Sequence, residues 1–335
     1  MSSINTTIDQ INAASAGMVV FLSVINFVPG LIGVVFNLIV FTRPILRQEP
    51  CSLYFFASTC LDLYVILIVI PVRIVSNGYN LDWANYNIAV CKLEFYGFHV
   101  PRSISCWIVL MACIDRYLHS SINIRFRRFS SLKTARIATG IITILMPLLY
   151  IHMVIFFTIY NGRDPYGNVI PVYNGQKGFY QAFMILWHMF MYSICPTFLT
   201  LLFGCLTVRN IHQGRQVVPV VVGENNRSAR RTNSQLLRIL TIQVIIIVIA
   251  TLPYSLVRFY ISITDNIVKD GVQIAKENLA LQTFNSTTYF AHSSGFYLYT
   301  LLGSVFRKEV VKIITRHFPH FHRRRNQVSI ANQNN

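Results

Sequence analysis

The sequence predicts an all-α membrane protein, a seven-transmembrane helix bundle followed by a short amphipathic eighth helix. Three observations predict it. The 335-residue chain is 53% hydrophobic and only 12% charged, its apolar residues gather into seven stretches of spanning length, and its Lys and Arg lie in short segments beside those stretches. A helix needs about 20 apolar residues to cross a hydrocarbon core about 30 Å thick, because in lipid each backbone polar group must be satisfied within the helix.

The first span is placed at 18 to 42, after a polar segment, 1 to 17, that lacks the basic n-region and cleavage site of a signal peptide. The second, 52 to 75, carries Asp62, the one acidic residue deep in an apolar span. The third, 90 to 118, is interrupted by Arg102, Ser103 and Ser105. The fourth, 135 to 159, leads into Asn161-Gly162-Arg163-Asp164-Pro165-Tyr166-Gly167, whose turn residues suit a lid. The fifth, 180 to 208, precedes the longest connection, about 209 to 235, whose Gly214, Gly223, Asn225, Asn226 and several Arg are expected to be mobile. The sixth is placed at 237 to 263, and the seventh, 282 to 304, is interrupted by His292, Ser293 and Ser294.

After the seventh span, Phe306, Val310, Ile313, Ile314 and Phe318 recur at helical spacing with Arg307, Lys308, Lys312 and Arg316 between them. That pattern predicts an interfacial helix over 305–318, its apolar face in the inner leaflet and its basic face on anionic lipid headgroups. A cytoplasmic tail, 319–335, completes the division into exterior tail, seven-span domain 18–304, interfacial helix and inner tail.

Basic residues beside spans resist translocation and so mark the inner side. With residues 1–17 outside, 20 Lys and Arg fall on the cytoplasmic side and seven on the exterior side. The expected location is therefore the plasma membrane, multi-pass, with the N-terminus extracellular. The net charge of +17 is distributed along span ends rather than over one soluble face, which argues for membrane topology and against nucleic acid. Asn5-Thr6-Thr7 is the better glycosylation sequon, ahead of Asn285-Ser286-Thr287, while Asn226-Arg227-Ser228 falls on the cytoplasmic side.

The run from Ser105 to Tyr117 ends in Asp115-Arg116-Tyr117 at the inner end of the third of seven spans. In that position the triplet resembles the rhodopsin-like, class A, G-protein-coupled receptors, as a divergent member. The resemblance implies that Arg116 is held by Asp115 at rest and is then freed to meet the C-terminal helix of a heterotrimeric G protein. It extends over residues 18 to 318. Asn37 and Asp62 match the asparagine of the first span and the aspartate of the second, which with Ser105 line a core polar site that takes sodium in the family. Pro196 and Pro253 match the prolines of the fifth and sixth spans, and Tyr299, followed by Phe306, the end of the seventh.

The departures shape the functional expectation. Thr251 replaces the switch tryptophan, Gly295-Phe296-Tyr297-Leu298-Tyr299 replaces the usual Asn-Pro-x-x-Tyr, Gly204 replaces a tyrosine of the fifth span, and the fourth span lacks its tryptophan. Ala291 and Gly295 fall where the seventh span usually supplies sodium partners, and Asn233 stands where an acidic latch often sits. Phe98 takes the place of the amine-binding aspartate and Tyr289 that of the retinal lysine, so neither an amine receptor nor a photoreceptor is expected.

The expected partners are a heterotrimeric G protein, membrane lipids and an extracellular small-molecule or peptide ligand; no cofactor or metal is expected. Arg73, Arg102 and Arg258 point to an anionic ligand, with Glu94, Phe98, Tyr254 and Tyr289 completing the pocket. The competing arrangement is an internal Glu94–Arg102 ion pair with Arg73 and Arg258 reaching to the surface. Cys91, where the family forms a disulfide, has no cysteine in the loop 160–179 to meet, so a free thiol and a looser loop are expected. A transporter or channel is the alternative function, opposed by the absence of repeats. A membrane enzyme lacks convergent nucleophile, base or metal-ligand motifs.

Overall fold

The apolar stretches fold as helices because lipid offers their backbones no other partner. A computed structural model describes residues 2–176, 178–217, 224–264 and 267–317. In chain order the elements are α1 (Ser2–Phe41), α2 (Pro50–Gly78), α3 (Ile88–Ser120), α4 (Ile124–Phe129), α5 (Leu132–Phe156), β1 (Phe157–Arg163), β2 (Val169–Gly175), α6 (Phe179–Ile211), α7 (Glu224–Ile263), α8 (Gly271–Thr287), α9 (Phe290–Ser293), α10 (Gly295–Leu302) and α11 (Ser304–His317). Among the described residues, six helices are long and apolar enough to cross a membrane: α1 to α3 and α5 to α7. The seventh crossing is the broken run α8–α9–α10, packed against α1 and α7.

Its breaks follow from its composition. Thr288 Oγ1 donates to the Asn285 carbonyl at 2.6 Å and Ser293 Oγ to the Tyr289 carbonyl at 3.1 Å, giving the backbone partners that compete with a regular helix. α2 and α6 widen for a related reason. Pro71 and Pro196 have no N–H, and π-helical turns lie at Val65–Val69, Ile74–Gly78 and Met189–Ile194 beside them.

α3 is the central helix: 72% of its apolar window is buried, against 22% for α5. Enclosure by protein rather than lipid is what lets it carry Arg102, Ser103, Ser105, Asp115 and Arg116, all buried. Toward the inner end, the rings of Phe41, Phe55, Tyr299 and Phe306 pack with centroids 5.0–6.1 Å apart.

Several expectations are corrected here. Residues 2–17 continue α1 as helix, and α7 begins at Glu224. The seventh crossing starts at Gly271 rather than 282, where Asp270 caps the helix by accepting from the Gln273 N–H at 2.7 Å. The fourth span gives way at Phe157 to β1, which pairs antiparallel with β2 from Phe157↔Gly175 to Arg163↔Val169. The connection from 157 to 175 is thus a hairpin. α11 forms as expected, and Phe306, Val310 and Ile313 of its apolar face are buried in the bundle core. Phe318, the tail 319–335 and part of the 209–235 connection lie outside the described residues, as does the side chain of Asn233.

The hairpin is clasped by two other segments. Tyr166 O–H donates to Asp9 Oδ1, Asn12 Nδ2 donates to Tyr166 Oη at 3.4 Å, and Ile8 is buried at the same junction. Gly271 completes the clasp because a Cβ there would stand 2.0 Å from the Pro165 carbonyl oxygen.

Candidate functional site

At the inner end of α3, Arg116 donates from Nε and Nη2 to Asp115 Oδ2 at 3.1 and 2.6 Å. Both residues are buried. Ser130, just beyond α4, donates to the other carboxylate oxygen, Asp115 Oδ1, at 2.8 Å. Tyr117 points elsewhere and packs on Phe203 of α6 with ring centroids 5.5 Å apart. The predicted triplet therefore divides into an ion pair facing inward and a tyrosine facing α6, and Ser130 is an anchor that motif spacing does not reveal.

Midway through the bundle, Asp62 Oδ1 accepts from Ser105 Oγ at 3.0 Å and from His292 Nδ1 at 2.8 Å. The network continues from Ser105 to Ser58 at 2.8 Å and from His292 Nε2 to the Tyr192 hydroxyl at 3.1 Å, so it joins α2, α3, α6 and α9. Asp62 and Ser105 meet as expected. Asn37 is buried but its Oδ1 has no hydrogen-bond partner, so it does not join them. His292, Ser58 and Tyr192 are members that sequence reading missed. Ala291 and Gly295, the positions expected to face Asp62, carry no polar side chain, and the neighbouring His292 supplies the contact. A sodium ion does not fit this donor set: a hard cation requires several oxygen ligands, and an imidazole N–H already faces the carboxylate.

Toward the outer end, Arg73 pairs with Glu94 at 3.6 Å, donates to the Tyr173 hydroxyl at 3.3 Å and lies 4.6 Å above the Phe98 ring. Tyr173 lies on β2; burial raises its hydroxyl pKa, opposed by the charge of Arg73. Arg102 is only 2% exposed. It donates from Nε to the Phe98 carbonyl at 2.7 Å and from Nη1 to Thr288 Oγ1 at 3.2 Å, with the rings of Tyr192 and Tyr289 at 5.9 and 5.8 Å. No carboxylate among the described residues comes within 4.0 Å of it. The alternative Glu94–Arg102 pair is therefore not formed, and Arg73, buried against Glu94, does not reach to the surface.

Arg258 and Tyr254 line a cavity of about 10 Å³ with His99, His188, Met184, Ile185 and Ser255, room for about one water. His99 and His188 meet edge to face with centroids 4.5 Å apart, and both lie within electrostatic reach of Arg102 and Arg258. The predicted pocket residues thus form two adjoining groups. Arg73, Glu94 and Phe98 form one; Tyr254 and Arg258 belong to the other with the two imidazoles, which the sequence showed only as scattered histidines. Arg102 and Tyr289 stand between the groups.

Pro196 follows the widened turn of α6 and Pro253 lies within α7. Tyr299 donates to Gln243 Oε1 of α7 at 3.4 Å. Asn5 is exposed on α1, whereas Asn285 is buried, which favours Asn5 as the acceptor sequon. Cys91 is a buried free thiol.

The family profile described as 7 transmembrane receptor (rhodopsin family) matches residues 32–294, a stretch that contains all three polar groups. No curated protein matches the chain as a relative.

Proposed function

The chain belongs to the rhodopsin family of seven-transmembrane receptors, and from that premise we propose that it carries an anionic extracellular signal across the plasma membrane to a heterotrimeric G protein. As a member of that family it is a membrane-embedded, multi-pass signalling receptor, and the family is not enzymatic. The N-terminus lies outside, a placement supported by the 20 to seven division of basic residues, with Asn5 glycosylated.

The observation that carries the ligand reading is Arg102, a guanidinium buried to 2% exposure with no acid within ion-pair distance among the described residues. A buried charge is expensive unless paired, so a site that keeps an arginine without its acid is built for an anion supplied from elsewhere. The planar fork donates two parallel hydrogen bonds to a carboxylate, with Arg258 as the second cation and Phe98, Tyr254 and Tyr289 for its apolar part. The cavity must widen to admit more than a water.

Arg102 also links the ligand to the rest of the bundle. Its Nη1 bond to Thr288 spans α3 and the first break of the seventh crossing. An anion that takes this donor releases Thr288, and the same broken run carries His292 on Asp62 and Tyr299 on Gln243. Inward motion then reaches the Asp115–Arg116 pair, which frees the arginine to donate to carbonyls at the end of an inserted G-protein helix.

Second messengers measured in cells expressing the receptor, against panels of acidic, neutral and amine metabolites, test the ligand class. An acidic agonist is expected, with affinity falling by about 2–5 kcal/mol in Arg102→Ala and little in Glu94→Gln. Agonists found only among cations, or an acidic agonist indifferent to Arg102→Ala, would show that the arginines are structural.

A further inference from the structure

The cavity between α3, α6 and α7 gathers polar atoms that have no protein partner. Among the described residues, Arg258 and the Tyr254 hydroxyl make no hydrogen bond or ion pair, although both residues line it. His99 and His188 line it too, and the outer partners of their rings fix where each proton sits. The Phe95 carbonyl can only accept, so His99 Nδ1, 2.8 Å away, carries the ring proton, and Nε2 of the neutral ring is a bare acceptor. Ser103 Oγ donates to Tyr150 Oη at 2.8 Å, which leaves the tyrosine proton for His188 Nδ1 at 3.4 Å and puts the His188 proton on Nε2. Neither Nε2 atom has a hydrogen-bond partner among the described residues.

We propose that the ligand's anion enters this cavity together with one proton, held on His99 Nε2, so that the receptor responds to acid and anion jointly. The inference rests on the anionic reading above and adds the proton to it.

The donor count leads there. An anion in the cavity can accept from Arg258, from the Tyr254 hydroxyl and from His188 Nε2. Ser255 adds no donor, because its hydroxyl is already given to the Thr251 carbonyl at 3.2 Å. The remaining wall is the His99 Nε2 lone pair, which repels a negative charge. A proton on that nitrogen turns the repulsive contact into a fourth donor, and a charged donor makes the stronger hydrogen bond.

The charges around His99 explain why proton and anion arrive together. The groups that face the ring are His188 from α6, Arg258 and Tyr254 from α7, and Arg102 one turn along α3, with Tyr150 of α5 behind His188. Two of these are guanidiniums and none is a carboxylate, so a third positive charge is opposed while the cavity holds no anion. The anion removes that opposition. Its complex holds one proton more than the empty receptor, so affinity rises as pH falls, by up to about tenfold per unit.

Formate, the smallest carboxylate, is the probe for the full-length receptor in lipid nanodiscs, with ionic strength held by a bulky sulfonate. Thermal unfolding followed by tryptophan fluorescence gives its affinity at about pH 6 and about pH 8, where formate stays ionised. Binding is expected to be up to about a hundredfold tighter at the lower pH. His99→Gln offers an amide N–H that needs no proton, so this difference should vanish while binding persists. Histidine-ring NMR of the wild type, which does not depend on a variant's folding, should show one neutral imidazole become imidazolium when formate is added. Equal affinity at both pH values, or a pH dependence that survives in His99→Gln, overturns the proposal and leaves the anionic reading standing. A pH dependence without a new imidazolium places the proton on the ligand and also overturns it. No stabilisation by formate at either pH overturns the proposal, and the anionic reading falls with it only if the acidic panel is silent as well.

Discussion

Deleting the imidazole of His292 isolates its interaction with Asp62 at the centre of the bundle. Asp62, 8% exposed, keeps Ser105 at 3.0 Å but loses the 2.8 Å partner at the same oxygen, and Tyr192 loses its contact at 3.1 Å. Removing one member of a buried, hydrogen-bonded pair costs about 3–5 kcal/mol because the other is left without compensation. At about 2–4 °C per kcal/mol for chains of this order, His292→Ala is expected to lower the apparent melting temperature by about 10 °C. The buried free thiols Cys51, Cys106 and Cys113 supply the readout, since a thiol-reactive fluorophore reaches them only on unfolding. Scans run at one heating rate compare His292→Ala, Asp62→Asn and the double variant. Once the imidazole is gone, neutralising Asp62 is expected to cost little or to restore stability, for a coupling of about 2 kcal/mol. Additivity within about 0.5 kcal/mol would refute the pairing.

Three further outcomes are expected. Asp115→Ala removes the acceptor of a charge-assisted bond of about 1.5 kcal/mol, so basal second-messenger output should rise about tenfold at equal surface expression; unchanged output would show that the pair is no latch. Phe306→Ala should destabilise the protein by about 3–5 kcal/mol in the same thiol assay, as for a buried core ring, and an unchanged melting temperature would place that face in lipid. Gly271→Ala forces a methyl against the Pro165 carbonyl oxygen, so hydrogen exchange across the hairpin turn, 163–169, should accelerate; equal exchange would mean that the three-part clasp does not hold the hairpin.

How much of this was legible in the sequence depends on which solvent constrained each element. Lipid leaves a spanning helix no choice, so six crossings could be read from composition, and the enclosure of α3 could be read from its polar residues. The seventh crossing carries Asn285, Ser286, Thr287, Thr288 and Ser293, whose side chains offer backbone partners that lipid does not, and its helical phase cannot be extrapolated through the breaks. The packing of Phe306 against Phe41 and Tyr299 was not legible, because an apolar stripe beside a basic one suits a lipid surface and a protein groove equally. Arg73, Arg102 and Glu94 were found by the cost of burying charge. Which arginine takes the acid was not legible, because α2 and α3 must be docked before Arg73 can reach Glu94. His99 and His188 lie far apart in the chain, and only the packing of α3 on α6 brings them edge to face.

The central claim, that the chain passes a signal to a G protein through Arg116, is tested most directly by guanine-nucleotide exchange on a purified heterotrimer. Wild-type receptor in nanodiscs should accelerate exchange even without agonist, Asp115→Ala should accelerate it further, and Arg116→Ala, shown to be folded by the thiol assay, should return it to the receptor-free rate. Exchange that is equally fast with folded Arg116→Ala, or that no form of the receptor accelerates, would contradict the account.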